Sequence, residues 1–335
     1  MTIKDLAEKT GYAVGTVSRA LNGHPNVSEK ARKAILEAAQ ACGFELNINA
    51  KQLKQQHATS ILIVVKGTSN ELFAELVESI QTQLRNTRYP VHVDYLDEDA
   101  DEVLRAVQLC REKKPLGILF MGGNNCNFLS GFEKIQIPCL LLTNNASTLP
   151  FANLSSVCVN DRQACRCAMD SLIALGHRRI VVVGGCRDFS EISRLRYEGC
   201  LESLRSHGIE FNEALDYQEV RFSYDGGYQA TAQLLAQGRQ FTALFAQCDV
   251  MAIGAIRALR DHGLRVPEDV SVMGYDGLPL GSDMVPKLST IAQPVQTLAQ
   301  RSVEILTACI EGAPSRHETV PFVLFQREST RRADS

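Results

Sequence analysis

The sequence has 335 residues, of which 45% are hydrophobic and 22% are charged, and its formal net charge is −3. This is the balance of a globular protein long enough for two or three domains. Its apolar runs are too short to span a membrane, and the N-terminus, MTIKDLAEKTG, lacks a secretory pattern, so we expect a cytoplasmic protein.

Charge is unevenly distributed along the chain. Residues 1–57 contain eight Lys or Arg and five Asp or Glu, a net charge of +3, whereas the remaining residues carry −6. A basic N-terminal segment on an acidic body favours contact with a polyanion through that segment alone.

The eleven cysteines are odd in number and scattered, and the closest pair is Cys165 and Cys167. This spacing is typical of neither a zinc ribbon nor a thioredoxin motif. In a cytoplasmic protein we therefore expect reduced, mostly buried thiols.

Two short helices are predicted at the N-terminus. The first ends at Gly11, and a short turn leads to the second, which runs from Val14 towards Gly23 with the sequence VGTVSRALNG. Val17 and Leu21 share the apolar face of this second helix, and Arg19 lies on its polar face. A thin helix with one guanidinium group has the shape to enter the DNA major groove, although such a stretch alone more often indicates an ordinary solvated helix face.

A third helix is predicted after Ser28, a suitable N-cap, with Ile35, Leu36 and Ala39 as its inner face. Three short helices with a tight turn between the first two predict a helix-turn-helix unit. The segment from 2 to 44 resembles the DNA-binding head of the lactose-repressor family of bacterial regulators, above all through T-V-S-R-x-L-N-G and the V-S that follows it.

This resemblance implies DNA contacts in the head from Val14, Gly15, Thr16, Ser18, Arg19 and Asn22. Arg19 would read a base edge, and Val14 and Gly15 would tune operator preference. Ala13 stands where the family usually has a serine that caps the recognition helix, and Tyr12 replaces a small apolar residue.

Residues 47–57 read NINAKQLKQQH and are polar and uncapped. A helix this short is marginal in isolation, so the residues alone predict a flexible linker. The resemblance implies instead a hinge that becomes helical on DNA and lies in the minor groove. There Leu53 would wedge open a base step, and Ala50 and Lys54 would make contacts in the same register.

From Ser60 onwards, short apolar runs alternate with amphipathic stretches. Strands are predicted over 61–65, 91–96, 117–121, 139–143, 156–159, 180–183, 243–246 and 270–274. Helices are predicted between them, for example over 70–87, 162–175, 193–206 and 249–262. This alternation predicts an α/β fold with two doubly wound parallel sheets that follow the small all-α head.

The body lacks motifs of catalysis. Gly122-Gly123 and Gly184-Gly185 follow strands, but neither completes G-x-G-x-x-G or a P-loop, and G-x-S-x-G and H-E-x-x-H are missing. We interpret the acidic run from Asp97 to Asp99 as a solvated loop. We therefore expect no catalytic residue, no metal and no cofactor.

The body does predict a ligand cleft. Open α/β sheets bind ligands beyond the carboxyl ends of their strands, and Asp276 follows the strand VSVMGY. The stretches HGLRVPEDVSVMGYDG, ALGHRRI and TIAQPVQTLAQRSVEIL resemble the effector domain of the same family, which is similar in fold to periplasmic sugar-binding proteins. The resemblance implies two subdomains around a cleft, joined by three crossings of the chain.

We accordingly predict a helix-turn-helix domain over 1–46, a hinge over 47–58 and an effector-binding and dimerisation domain over 59–330. The N-subdomain would comprise about 59–160 and 291–320, and the C-subdomain about 161–290 and 321–330.

The effector site implied by the resemblance contains Phe73, Asp161, Ser190, Arg196, Phe222 and Asp276. Asp276 and Arg196 match the family's pair for polar ligand groups, since a carboxylate accepts hydroxyls and a guanidinium donates in a fork. The residues alone are also consistent with Phe73 and Phe222 as core aromatics, Asp276 as a helix cap and Arg196 in a surface salt bridge. Cys248 stands where many sugar-binding members have Asn, which argues against a common hexose.

These features together predict a homodimeric, ligand-responsive transcriptional regulator. We expect a repressor of carbohydrate-related genes that a small polar effector (a sugar, sugar phosphate or nucleobase) releases from a pseudo-palindromic double-stranded operator. The C-terminus shows no heptad run, so we expect a dimer rather than a tetramer. The alternatives are a co-repressor-dependent regulator that responds to a nucleobase, and an enzyme fused to a DNA-binding head.

Overall fold

The computed structural model describes residues 3–21, 27–42, 59–67, 70–188 and 190–333. The chain divides into two compact units, Met1–His57 and Ala58–Ser335, and each is described by itself. The boundaries that we predict for the domains, the hinge and the subdomains stay predictions.

The first unit contains three helices, α1 (Ile3–Thr10), α2 (Val14–Leu21) and α3 (Glu29–Ala41). Leu6, Val17 and Ile35, one from each helix, are fully buried in a common core. Gly11 ends α1 with a φ of +72°, a conformation that favours glycine. The Ser28 hydroxyl caps α3 by accepting a backbone hydrogen bond. The predicted helix-turn-helix unit is confirmed.

One residue of the predicted inner face of α3 is misplaced. Leu36 is 45% exposed, whereas Ile35 and Ala39 are buried. Residues 35 and 39 lie one helical turn apart and share a face, while residue 36 is rotated by about 100° from residue 35. The prediction for Leu36 was wrong.

The second unit alternates strands and helices. Its strands are β1 (Ile61–Lys66), β2 (Val91–Leu96), β3 (Gly117–Met121), β4 (Cys139–Leu142), β5 (Leu154–Cys158), β6 (Ile180–Gly184), β7 (Tyr217–Glu219), β8 (Ala243–Ala246), β9 (Ser271–Asp276), β10 (Ser289–Ala292), β11 (His317–Thr319) and β12 (Val323–Phe325). Its helices are α4 (Glu71–Leu84), α5 (Glu102–Lys113), α6 (Asn125–Gly131), α7 (Asp161–Ala174), α8 (Glu191–Ser206), α9 (Glu213–Asp216), α10 (Tyr224–Ala236), α11 (Asp249–Asp261), α12 (Leu280–Asp283) and α13 (Val295–Ile310).

These strands form two six-stranded sheets, ordered β11-β5-β4-β3-β1-β2 and β12-β10-β9-β8-β6-β7. Neighbouring strands are parallel except β10 and β12. We call the first sheet with α4–α6 and α13 lobe 1, and the second sheet with α7–α12 lobe 2. Within the described ranges the chain passes between the sheets three times: after β5, after β10, and between β11 and β12. The predicted α/β fold with two doubly wound sheets is confirmed.

Four strands were not predicted. β7, β11 and β12 are three residues long and lie at sheet edges, below the length of apolar run that marks a strand in a sequence. β10 has the sequence STIA, in which two of four residues are polar. The pairing of these short strands with long-range neighbours, rather than their own composition, determines their conformation.

Helices α10 and α11 approach closely through two glycines. A Cβ atom at Gly254 would lie 2.0 Å from the carbonyl oxygen of Tyr224, and one at Gly227 would lie 2.1 Å from that of Met251. Both contacts are with backbone, which does not move aside as the end of a side chain can. The packing of lobe 2 therefore requires glycine at these positions.

We predict that Gly254→Ala lowers the free energy of unfolding by at least about 1–3 kcal/mol, because the added methyl group forces the two helices apart. Urea unfolding measures the change. Gly131→Ala is the matched control, since a Cβ there would meet Val103 at an ordinary 3.5 Å. Equal stability of Gly254→Ala and the parent protein would contradict the close packing.

Candidate functional site

A cavity of about 430 Å³ lies between the two lobes, where the carboxyl ends of both sheets meet. Its polar lining residues are Lys66, Asn70, Asp97, Glu98, Asp99, Thr143, Asn144, Cys186, Ser190, Arg196, Glu219, Arg221, Ser223, Asp276 and Gln293. Its apolar lining residues are Leu72, Phe73, Ile192, Val220 and Phe222, with glycines at 67, 122, 123 and 185. We call this cavity the cleft.

Arg196 forms the floor of the cleft and is held on several sides. Its Nε donates to Asp161 Oδ1 at 2.8 Å and its Nη1 donates to the carbonyl oxygen of Gln247 at 2.5 Å. Its guanidinium carbon lies 3.8 Å from the centre of the Tyr275 ring, and the Tyr275 hydroxyl donates to the same Asp161 oxygen at 2.8 Å. The remaining Nη2 lies 3.9 Å from Oδ1 of Asp276, and both residues line the cleft.

Asp276 ends β9 in a strained conformation. Its φ of +119° lies in a region that side chains other than glycine rarely adopt. The side chain is 5% exposed and accepts a hydrogen bond from Gln293 Nε2 at 2.9 Å. Burial raises the pKa of Asp276 to about 6, and the neighbouring Arg196 opposes this shift. Backbone strain at a buried carboxylate in a cleft is typical of a functional residue.

Asp249 lies beneath Asp276 and fixes the loop that follows β9. Its Oδ2 accepts from the backbone N–H groups of Gly277 and Leu278 at 2.8 and 2.7 Å, and its Oδ1 accepts from Thr290 Oγ1 at 2.6 Å. Burial, together with the charge of Asp276, raises the pKa of Asp249 to about 8. The three hydrogen bonds of Asp249 fix the loop after β9 and so hold Asp276 in position.

Five of the six predicted effector residues line the cleft, namely Phe73, Ser190, Arg196, Phe222 and Asp276. The sixth, Asp161, does not belong to the lining. It is 3% exposed and lies behind Arg196, where it orients the guanidinium instead of facing a ligand. Ser190 caps α8 by accepting from Ser193 N at 3.2 Å. Contact of these residues with an effector stays a prediction.

The acidic run after β2 is exposed to solvent at Asp97 and Asp99, as we predicted, and it also contacts the other lobe. Arg221 of lobe 2 forms an ion pair with Glu98 of lobe 1 at 2.7 Å and donates a hydrogen bond to Asp99 at 2.6 Å, and its Nη2 lies 3.6 Å from Asp97. Nearby, the Tyr224 hydroxyl donates to Glu71 across the same opening. We call the contacts of Arg221 with residues 97–99 the rim cluster; it joins the lobes at the mouth of the cleft.

Lys66 was also missed. It ends β1, and its Nζ lies 2.7 Å from Oε2 of Glu102, which is fully buried. Glu102 further accepts from Asn124 N at 2.6 Å and from Asn127 Nδ2 at 2.9 Å. The position of these residues next to predicted strand ends was the signal that the sequence offered. Lys66 ends β1 and Gln293 directly follows β10, and the carboxyl ends of both strands face the cleft.

The head presents several of its predicted DNA-contacting residues at the surface. Val14, Gly15 and Arg19 are exposed, and Thr16 and Ser18 are half-buried. Arg19 Nε donates to the carbonyl oxygen of Gly15 at 3.1 Å, one turn earlier on α2. The remaining predicted DNA contacts, Asn22, Ala50, Leu53 and Lys54, lie outside the described residues.

The described part of the chain contains neither a metal-binding cluster nor a membrane-spanning helix. Within the described ranges, His, Cys, Asp and Glu form no group of three or more that could hold a metal ion. No helix there combines the length and the apolar composition needed to cross a bilayer. All eleven cysteines are free thiols, of which Cys126 is exposed.

Each of the two units matches a known protein family. Residues 2–47 match the model of the bacterial regulatory proteins of the lacI family, and residues 169–330 match a periplasmic binding protein-like domain. The transcriptional regulator MalR of Clostridium butyricum is 30% identical over 335 residues, which cover 98% of this chain and 99% of that protein.

Solved structures of transcriptional regulators are similar to this chain in fold. A structure of the lac repressor dimer bound to operator and the anti-inducer ONPF is similar with a TM-score of 0.74 and 26% identity, and covers 99% of both chains. A LacI family regulator from Enterococcus faecium with bound ribose has a TM-score of 0.71 and 26% identity, and covers 82% of this chain and 100% of that one.

We predict that Asp276→Asn gains stability relative to the parent protein as the pH rises. The folded-state pKa of Asp276 is raised, so its contribution to stability is present below the unfolded-state pKa and is lost as the pH rises through about 6. The difference in free energy of unfolding should shift in favour of Asn by about 2 kcal/mol between about pH 4.5 and 7.5. Urea unfolding of both proteins at each pH measures it. A difference independent of pH would show that Asp276 has an ordinary pKa.

Proposed function

This chain belongs to the lacI family of bacterial regulatory proteins, and we propose that it is a homodimeric repressor of carbohydrate-related genes, released from its operator by a small polar effector. The observation that carries the proposal is the cleft, where the strained carboxylate of Asp276 meets the clamped guanidinium of Arg196. A periplasmic-binding-protein-like cleft on a chain with a helix-turn-helix head supports coupling of ligand binding to DNA binding.

In the proposed complex, α2 enters the major groove and Arg19 reads a base edge, while Thr16 and Ser18 contact the backbone. The exposure of Arg19 and Val14 supports this orientation. Two heads in a two-fold dimer would read a pseudo-palindromic site, as expected for a chain similar to the operator-bound lac repressor dimer. A regulator that binds the bacterial chromosome acts in the cytoplasm.

We propose a sugar or sugar derivative as the effector. The similar regulator from Enterococcus faecium was solved with ribose, and the cleft combines polar groups at its floor with the apolar walls Phe73 and Phe222. This mixture suits a ring whose edges carry hydroxyls and whose faces are apolar. The related regulators give no support to the alternative that the effector is a nucleobase.

Ligand binding would change the angle between the lobes, and this change would order or release the hinge over 47–58. Leu53, Ala50 and Lys54 are proposed to contact the minor groove when the hinge is helical. We propose binding without turnover, because the relatives compared here are regulators and the polar groups of the floor are already engaged with one another.

We predict that Arg19→Ala weakens operator binding by about 1–3 kcal/mol and relaxes the preference at one base pair, because a base-edge contact is lost. Gel shifts on the operator and on random DNA measure both effects. Lys33→Ala, on α3 of the same head, removes the same charge away from the recognition helix and should weaken both complexes about equally. If Arg19→Ala weakens binding to the operator and to random DNA equally, Arg19 does not read a base.

We predict that Asp276→Asn leaves the operator affinity of the ligand-free protein unchanged and raises the effector concentration for half-maximal response about 100-fold, because a buried hydroxyl loses its charged partner. The effector is the sugar that gives the largest thermal shift in a screen. Asp283→Asn, an exposed change in the same lobe, is the matched control. If Asp276→Asn responds at the parent's concentration, the effector binds elsewhere.

A further inference from the structure

Each cation that lines the cleft already has a carboxylate partner. Lys66 is paired with the fully buried Glu102, and Arg196 with the buried Asp161. Both pairs are largely removed from water, so separating either one would leave an uncompensated buried charge. Neither Lys66 nor Arg196 is therefore free to neutralise an anionic ligand, although Arg196 keeps donor capacity at Nη2 for a neutral hydroxyl.

The third cation, Arg221, is surrounded by excess negative charge. Three carboxylates of the rim cluster, those of Asp97, Glu98 and Asp99, lie within 3.6 Å of its guanidinium. An anion that approached Arg221 would meet a net charge of about −2 at the mouth of the cleft. Glu219 adds a further carboxylate to the lining beside Arg221.

The lining of the cleft as a whole also carries a net negative charge. The described lining carries five carboxylates against three cations. Thr68, Ser69 and Phe189, the residues between 59 and 333 that the structure does not describe, are uncharged. A cleft with low-dielectric walls concentrates such a potential, which repels anions and puts no such penalty on uncharged molecules.

Resting on the proposed function, we propose that the effector is an uncharged polyhydroxylated compound and that Asp97, Glu98 and Asp99 exclude phosphorylated and carboxylated sugars. The remaining groups of the cleft suit such a ligand. Asp276 would accept hydroxyls, Arg196 Nη2 would donate, and Phe222 would cover an apolar face. Exclusion by like charge is a common source of specificity between ligands of similar shape.

The experiment measures, by calorimetry on the full-length protein, the affinities for neutral sugars and for phosphate esters and uronates of the same sugars. Ribose with ribose 5-phosphate, glucose with glucose 6-phosphate, and galactose with galacturonate are the first pairs. We expect a neutral sugar to bind and its anionic counterpart to bind at least about 100-fold more weakly in low salt. The difference should shrink at high ionic strength, because the rim cluster is exposed to solvent.

The double variant Glu98→Gln/Asp99→Asn tests the residues named. It should reduce the neutral-to-anionic affinity ratio at least about tenfold, because it removes two like charges and frees Arg221. Glu112→Gln/Glu133→Gln removes two exposed carboxylates of lobe 1 outside the cleft and should leave the ratio unchanged.

Three results would overturn the inference in distinguishable ways. An anionic sugar that binds as tightly as its neutral counterpart refutes charge exclusion and leaves the proposed function intact. An unchanged ratio in Glu98→Gln/Asp99→Asn refutes the role of the rim cluster. If neither set binds while specific operator binding is intact, the sugar response proposed above fails, and this inference fails with it.

Discussion

The buried guanidinium of Arg196 is the interaction on which the cleft depends. A charge this deeply buried is tolerated only when it is paired and hydrogen-bonded on several sides, and here Asp161, Tyr275 and the carbonyl of Gln247 meet that requirement. Asp161 begins α7, Tyr275 belongs to β9 and Gln247 follows β8. The ion pair and these hydrogen bonds therefore fix the three elements relative to α8, which carries Arg196, and the direction of Arg196 towards Asp276 follows from them.

The floor and the mouth of the cleft differ in the strength of their contacts. The floor pair Arg196–Asp161 is buried, whereas Arg221 at the mouth is 60% exposed. Exposed ion pairs contribute about 0–1 kcal/mol each, so the contacts of the rim cluster can exchange with solvent when the lobes separate. The cleft thus has a rigid floor in lobe 2 and a mouth whose polar contacts open at little cost. In the proposed function, a ligand would enter past groups that are easily parted and would bind to groups that are held by buried contacts.

The sequence was sufficient for the fold class and for most of the long elements, because buried parallel strands such as ILIVV read as continuous apolar runs. It was insufficient where conformation depends on distant partners. Strands β11 and β12 form by pairing with strands that are distant in the sequence. The acidic run 97–99 contacts the other lobe because Arg221 of that lobe reaches it, which the run itself does not indicate. The sequence analysis selected Asp161 as a site residue. Its position behind Arg196 depends on how α7 and α8 pack, which the spacing of residues in the sequence does not show.

The passage of the chain between the sheets has a consequence for synthesis. β11 of lobe 1 comes from residues 317–319 and β12 of lobe 2 from residues 323–325, so each sheet receives an edge strand from a segment that follows all its other strands. Neither lobe can complete its sheet while those residues remain in the ribosome. The emerging polypeptide must wait with unpaired edges at β5 and β10, which are the positions where premature association between nascent chains would begin. The head, whose core residues all precede residue 42, has no such delay.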